Sequence, residues 1–297
     1  MMPAVPLRRI VLSDGIPLAV DIHDSPAATA PTLVLVHGYP DNQSVWRDML
    51  PFLTPHFRVV TYDVRGAGDS GRGDRLATYR LPALAADLRA VIDAVSPDQP
   101  VHLAGHDWGS IQSWEAVTCP SFRGRIASFT SASGPCLDHA AHWLRHALRQ
   151  QGEERELALQ QLKASWYIQF FHLPWLPPLA WRWLFGPRWR AIRQRLDGLD
   201  APISDSQTRD GMDGIALYRA NFIERLLFPR QRYANCPVHL LVAGDDFCVT
   251  PGLFLHQQDW VPQLTRFDLE TGHWLPLAQP QVFAREICRH ALGEVAA

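Results

Sequence analysis

The 297-residue chain predicts an α/β fold: a mostly parallel sheet covered by helices and interrupted by a helical insertion. Three observations lead there. Short apolar runs alternate with longer helical patterns. The runs are β-branched and flanked by Gly or Pro, as in strands covered on both faces. The rhythm stops near Ser133 and returns at Val238. Alternating strands and helices imply parallel pairing with right-handed crossovers.

The elements follow in order. Residues 8–23, with Asp14-Gly15 at the centre, read as an antiparallel hairpin at the sheet edge. Strands are expected at 33–36, 58–62, 101–104 and 126–130. A helix at 81–95 carries apolar residues at 84, 88, 91, 92 and 95, and another begins near Gly109. From Ser133 to Arg232 the chain is helical, aromatic and proline-rich, with tryptophans at 143, 166, 175, 181, 183 and 189. Strands return at 238–243 and 265–269, and a helix at 280–292 closes the pattern. The expected division is a core of 1–135 and 233–297 with an insertion at 136–232.

Composition narrows the function. There are 28 basic and 30 acidic residues, so the basic excess of a nucleic-acid binder is missing. Lys163 is the single lysine among those 28, which we read as coding bias. The five cysteines form no CxxC, which disfavours a disulfide framework or a thiolate zinc site and fits reduced thiols in a cytoplasm. No apolar run precedes Arg8 and Arg9, so a secretory signal is not expected. The most apolar stretch, Trp166 to Phe185, contains His172, Arg182 and three prolines, so no membrane span is expected.

Four turns carry the chemistry. The strand at 101–104 runs into Gly105-His106-Asp107-Trp108-Gly109-Ser110, a small-x-nucleophile-x-small turn with Asp107 at its tip. An N-cap aspartate is the bland alternative. The strand at 33–36 ends in His37-Gly38-Tyr39-Pro40. The last two strands end in Gly244-Asp245-Asp246 and Gly272-His273-Trp274. Nucleophile, acid and histidine thus occur in that chain order, each just past a strand.

These motifs resemble the α/β-hydrolase family, and specifically its epoxide-hydrolase branch. The resemblance covers essentially the whole chain and implies an eight-stranded sheet with a helical cap. It implies two cap tyrosines that hold and protonate an epoxide oxygen. Tyr167, in Ser165-Trp166-Tyr167-Ile168-Gln169-Phe170, and Tyr218, in Leu217-Tyr218-Arg219-Ala220-Asn221, match them. Either could instead be a packed aromatic with its hydroxyl on a partner. Matching Val249 and Pro251 to similar family positions favours Asp246 over Asp245 as the third triad member.

The mechanism so implied needs no metal or organic cofactor. Asp107 opens the epoxide and forms an ester. His273, oriented by Asp246, activates the water that hydrolyses it. The backbone N–H groups of Tyr39 and Trp108 form the oxyanion hole. His37, Trp108, Trp166 and Trp274 are expected to contact a small-molecule substrate.

 The substrate expected from the aromatic, leucine-rich insertion is a lipophilic epoxide, and the product a vicinal diol.

Two alternatives remain open at this level. A haloalkane dehalogenase shares the aspartate, the histidine and the tryptophan after the nucleophile. Many of its members carry Asn after His-Gly, where this chain has Tyr39. A non-catalytic ligand-binding protein on the same fold is the other. His139, His142 and His146 have metal-like helical spacing but no accompanying carboxylate motif, so no metal is expected. Arg182, Arg188, Arg190, Arg193 and Arg195 read as a solvated helix face, with peripheral contact to an anionic membrane surface as the alternative. A monomer or a homodimer is compatible with the sequence.

Overall fold

A computed structural model describes residues 5–293. The ends of the expected core, 1–4 and 294–297, lie outside the described residues. Eight strands form one sheet: β1 (Leu7–Ser13), β2 (Ile16–His23), β3 (Thr32–Val36), β4 (Arg58–Tyr62), β5 (Val101–His106), β6 (Ile126–Ala132), β7 (Val238–Ala243) and β8 (Leu264–Leu269). Their spatial order is β1-β2-β4-β3-β5-β6-β7-β8. The β1–β2 hairpin turns at Asp14-Gly15, and β2 pairs antiparallel with β4. All other neighbours are parallel.

Strand β3 shows why the apolar runs are continuous. Val34 and Val36 point into a cluster with Leu88, Val91 and Ile92 of the helix Leu81–Val95. Leu33 and Leu35 point the other way, into a cluster with Phe283 and Ile287 of the helix Pro280–Leu292. Alternate residues face opposite layers, and each buried aliphatic side chain contributes roughly 1.5–3 kcal/mol.

Between β6 and β7 the described residues form helices only, among them Leu137–Ala147, Glu153–Ala164, Trp166–Phe171, Leu176–Ala180, Trp189–Asp197, Gln207–Asp213 and Ile215–Leu227. This insertion meets the sheet through a third cluster. Tyr39 and Trp108 of the sheet loops pack there with Phe171, Trp181 and Tyr218. The aromatic excess of the insertion is therefore partly interface: Tyr39 makes edge contacts with Phe171, Trp181 and Tyr218 at centroid distances of 5.7, 5.9 and 5.3 Å.

The histidines at 139, 142 and 146 do not converge on a common point. His139 is buried; its Nε2 meets the Arg232 carbonyl at 2.7 Å and its Nδ1 meets Gln257. His139 and His142 both stack on Trp260. The arginine series also divides: Arg193 is buried and donates to the carbonyls of Ala201 and Pro202, whereas Arg182, Arg188 and Arg195 are exposed.

Candidate active site

Parallel strands deliver their loops to one edge of the sheet, where ligands bind in such folds. Strands β3, β5, β7 and β8 are followed there by Tyr39, Asp107, Asp246 and His273. Asp107 occupies the turn between β5 and the helix Trp108–Val117 with φ +52°. A non-glycine residue in that region costs on the order of 1–3 kcal/mol. The turn is held by the Asp107 N–H donating to the Ala132 carbonyl at 3.0 Å and the Ile111 N–H donating to Asp107 O at 2.9 Å. Gly109 is required because a Cβ there would overlap the Val36 and His37 carbonyls.

The Asp107 carboxylate is bound at one oxygen and open at the other. Tyr39 N–H donates to its Oδ1 at 2.7 Å, and the Trp108 N–H also stabilises it. Its Oδ2 lies 3.6 Å from His273 Nε2. His273 Nδ1 is 2.9 Å from Asp246 Oδ2 and 3.1 Å from Oδ1. Asp246 is buried and accepts the N–H groups of Cys248 and Val249 at 2.8 and 2.9 Å, while Asp245 is an exposed turn residue.

Charge follows from these contacts. Burial pushes the Asp107 carboxyl up to about 6, against the opposing pull of His273 and the Trp108 and Tyr39 N–H groups. Burial alone would lower His273, but the charge and hydrogen bond of Asp246, aided by Asp107 and Asp197, push it up to about 9. Asp246 is held below the usual carboxylate range: burial opposes this, but His273 and the two N–H groups outweigh it. At neutral pH the resting site is therefore a carboxylate–imidazolium–carboxylate array.

Tyr167 and Tyr218 wall one apolar cavity with Asp107, Trp108 and Cys248. Their rings are 5.9 Å apart, edge to face, and Tyr218 packs on Trp108 at 5.0 Å. Burial raises both hydroxyls well above the usual phenol value, so both stay protonated.

Three residues expected to contact substrate do not wall this cavity. His37 is fully buried, with Nε2 accepting the Val64 N–H at 2.9 Å and Nδ1 on the Gly38 carbonyl at 2.9 Å. Trp274 is turned to Asp41, to which its Nε1 donates at 2.8 Å, and its ring packs behind His273. Trp166 points outward and is 65% exposed, although its neighbours Ser165 and Tyr167 are both in the wall. Trp108 does line the cavity, as expected.

Sequence reasoning missed the residues that hold the loops of the candidate site. Asp197, at the end of the insertion helix Trp189–Asp197, accepts the His273 and Trp274 N–H groups, both at 2.8 Å. Gly272 is small for the same reason, since a Cβ would overlap the Asp197 carboxylate. Gln161 plays the matching part for the acid loop: Nε2 donates to the Cys248 carbonyl at 2.8 Å, and Oε1 accepts the Thr250 N–H at 2.8 Å. His106 supports the base from below. Burial and nearby His273 lower it to about 3, so the neutral ring donates from Nε2 to the His273 carbonyl at 2.7 Å. Of Asp197, Gln161 and His106, only His106 stood within a motif.

Comparison with known proteins agrees with this architecture. A family model described as alpha/beta hydrolase fold matches residues 31–280. The chain is 36% identical over 299 residues to the "Probable oxidoreductase EphD" of Mycobacterium tuberculosis, covering 96% of this chain and 50% of that protein. It is 30% identical over 225 residues to "Epoxide hydrolase A" of the same species, covering 75% of this chain and 64% of that one. The chain thus spans about half the length of the first of these relatives. Among solved structures, an epoxide hydrolase from Bacillus megaterium in complex with an inhibitor superposes with a TM-score of 0.78, covering 96% of this chain and 100% of that one at 21% identity. With the strand order, the strand-to-helix turn at Asp107 and the family match all in agreement, the chain belongs to the α/β-hydrolase fold family.

Proposed function

We propose that this chain is an epoxide hydrolase that converts a lipophilic epoxide to a vicinal diol through an ester on Asp107. The observation that carries this reading is one apolar cavity holding an aspartate and two protonated tyrosines together. Likeness to proteins named epoxide hydrolases supports it.

In the first step Asp107 Oδ2 attacks an epoxide carbon, and the ring C–O bond breaks. The electron pair leaves on oxygen, which takes a proton from Tyr167 or Tyr218. A carboxylate suits displacement at saturated carbon because it is ionised without a base. The apolar wall excludes water from this step.

Esterification removes the charge of Asp107. One of the influences raising His273 is thereby lost, and the imidazolium is released toward its neutral form. Neutral His273 then takes a proton from water, and hydroxide adds to the ester carbonyl carbon. The oxyanion forms at Oδ1, already facing the Tyr39 and Trp108 N–H groups. Collapse breaks the ester C–O bond, the His273 imidazolium protonates the departing alkoxide to give the diol, and the proton of the regenerated Asp107 carboxylic acid returns to the tyrosinate.

One observation favours dehalogenation as a second reading. Trp108 Nε1 is buried beside the nucleophile with no hydrogen-bond partner among the described residues, and a halide could accept from it. Tyr39 weighs against this: its side chain donates to the Gly211 carbonyl at 2.8 Å and supplies no second halide donor.

Intact-protein mass of a His273→Gln variant, incubated with epoxides and haloalkanes, separates the two readings. An adduct equal to the whole epoxide, mapped to Asp107, is the expected result. An adduct equal to a haloalkane less its halide would replace the proposal with dehalogenation. A folded variant that traps neither would leave it unsupported.

A further inference from the structure

Tryptophan is seldom left in water, yet three of the 11 in this chain are mostly exposed: Trp166 at 65%, Trp175 at 78% and Trp183 at 67%. All three lie on the insertion between Trp166 and Phe185, with Leu173, Leu176, Leu179 and Leu184 exposed among them. Apolar surface of this kind marks a site of association.

Charge says with what. From Ser165 to Leu196 the sequence contains no acidic residue. Arg182, Arg188 and Arg195 are exposed there, and none has an acidic partner within 4.0 Å among the described residues. Arg182 lies 5.1 Å from the Trp183 ring. A second copy docking through the same face would set arginine against arginine. Tryptophan beside unpaired arginine instead fits the headgroup layer of an anionic bilayer, where the indole sits between water and acyl chains.

Trp166 joins this exposed stretch to the cavity wall. Leu162 and Leu226 both wall the cavity and reach solvent, and Trp166 projects outward between the wall residues Ser165 and Tyr167. Ile223 and Leu227, beside Leu226 on the helix Ile215–Leu227, extend the exposed apolar rim.

We propose that this face of the insertion docks on an anionic lipid surface, bringing the cavity mouth to the bilayer. A lipophilic substrate then enters from the acyl chains without crossing water. That delivery role rests on the proposed activity; the docking itself does not.

The test is co-sedimentation of the full chain with vesicles of phosphatidylcholine alone or mixed with phosphatidylglycerol, in the absence of substrate. Tryptophan quenching by brominated lipid is read in parallel. The expected result is binding that requires phosphatidylglycerol and weakens as salt is raised. The pairs Arg182→Glu/Arg188→Glu and Trp175→Ala/Trp183→Ala should each lower affinity at least about tenfold, with unchanged thermal midpoints. These side chains are exposed, so both variants are expected to fold. No binding by the wild type, or equal binding by both folded variants, overturns the proposal. Sedimentation velocity supplies the remaining arm: a dimer that the same variants dissociate would assign the face to a second copy and overturn the lipid reading. Because no substrate is present, an inactive preparation would bear on the proposed reaction alone.

Discussion

The sheet loops and the helical insertion contribute to the site in different ways. The loops supply Asp107, Asp246 and His273, the proposed nucleophile, acid and base, each at the end of a strand and each inside a short glycine-containing turn. The insertion supplies Tyr167 and Tyr218 in the cavity wall, and Asp197 and Gln161 as straps on the loops that bear His273 and Asp246. In the proposed reaction the loops carry the groups that form or break bonds, while the insertion decides where those groups stand and which protons are available. Removing a loop residue should abolish a step. Removing an insertion residue should slow one.

The largest expected effect is at the nucleophile. Asp107→Asn should lower turnover by at least about 10⁴-fold, with no covalent adduct by intact mass, because the replacement is not ionised. Residual fast turnover would move the chemistry away from Asp107 and dissolve the contrast between the regions.

The tyrosines come next. Tyr167→Phe and Tyr218→Phe should each slow adduct formation, and the double change should slow it by roughly 10²–10⁴-fold, the usual range for lost acid catalysis. Single-turnover alkylation measures this directly. If adduct forms at the wild-type rate in the double variant, both rings are packing alone.

Asp197 gives a sharper discrimination within the insertion. Asp197→Ala frees two N–H groups and loosens the loop bearing His273. Ester hydrolysis should slow by on the order of tenfold to a hundredfold, while alkylation is nearly unaffected. Loss of its charge should also lower the His273 pKa, since Asp197 is one of the groups raising it. A purely structural role would depress both steps alike and leave the pH profile in place.

The smallest effect needs no substitution. Asp107 must be ionised to attack, and burial places its pKa at about 6. Alkylation should therefore be near maximal above pH 7 and fall as the pH drops through 6, by about tenfold per unit well below it. A pH-independent alkylation rate down to pH 5 would show a carboxylate less desolvated than this cavity implies.

Much of this was legible in the chain. The period and length of the apolar runs located the strands, and the helix at 81–95 was read with its observed bounds. Turn motifs located Asp107, His273 and the Asp245-Asp246 pair because tight turns after strands restrict residue choice, and the family resemblance chose Asp246 within that pair. His37, Trp166 and Trp274 were misread as substrate contacts for a related reason. Proximity to a motif along the chain does not say which way a side chain points. His37 turned to a backbone N–H, Trp274 to Asp41, and Trp166 to the outside.

Periodicity and turn chemistry are local, and they sufficed for the layers of the fold and the positions of the catalytic loops. The contacts that tune the site join residues far apart in the chain: Asp197 meets His273 across 76 residues, and Gln161 meets Cys248 across 87. Neither pairing leaves a spacing or composition signal. Such contacts depend on where two helices of the insertion come to rest against the sheet loops; burial then raises the Asp107 carboxyl, while Asp246 outweighs burial at His273. Those were settled by packing in three dimensions, because desolvation and hydrogen-bond geometry belong to the folded environment and not to any residue alone.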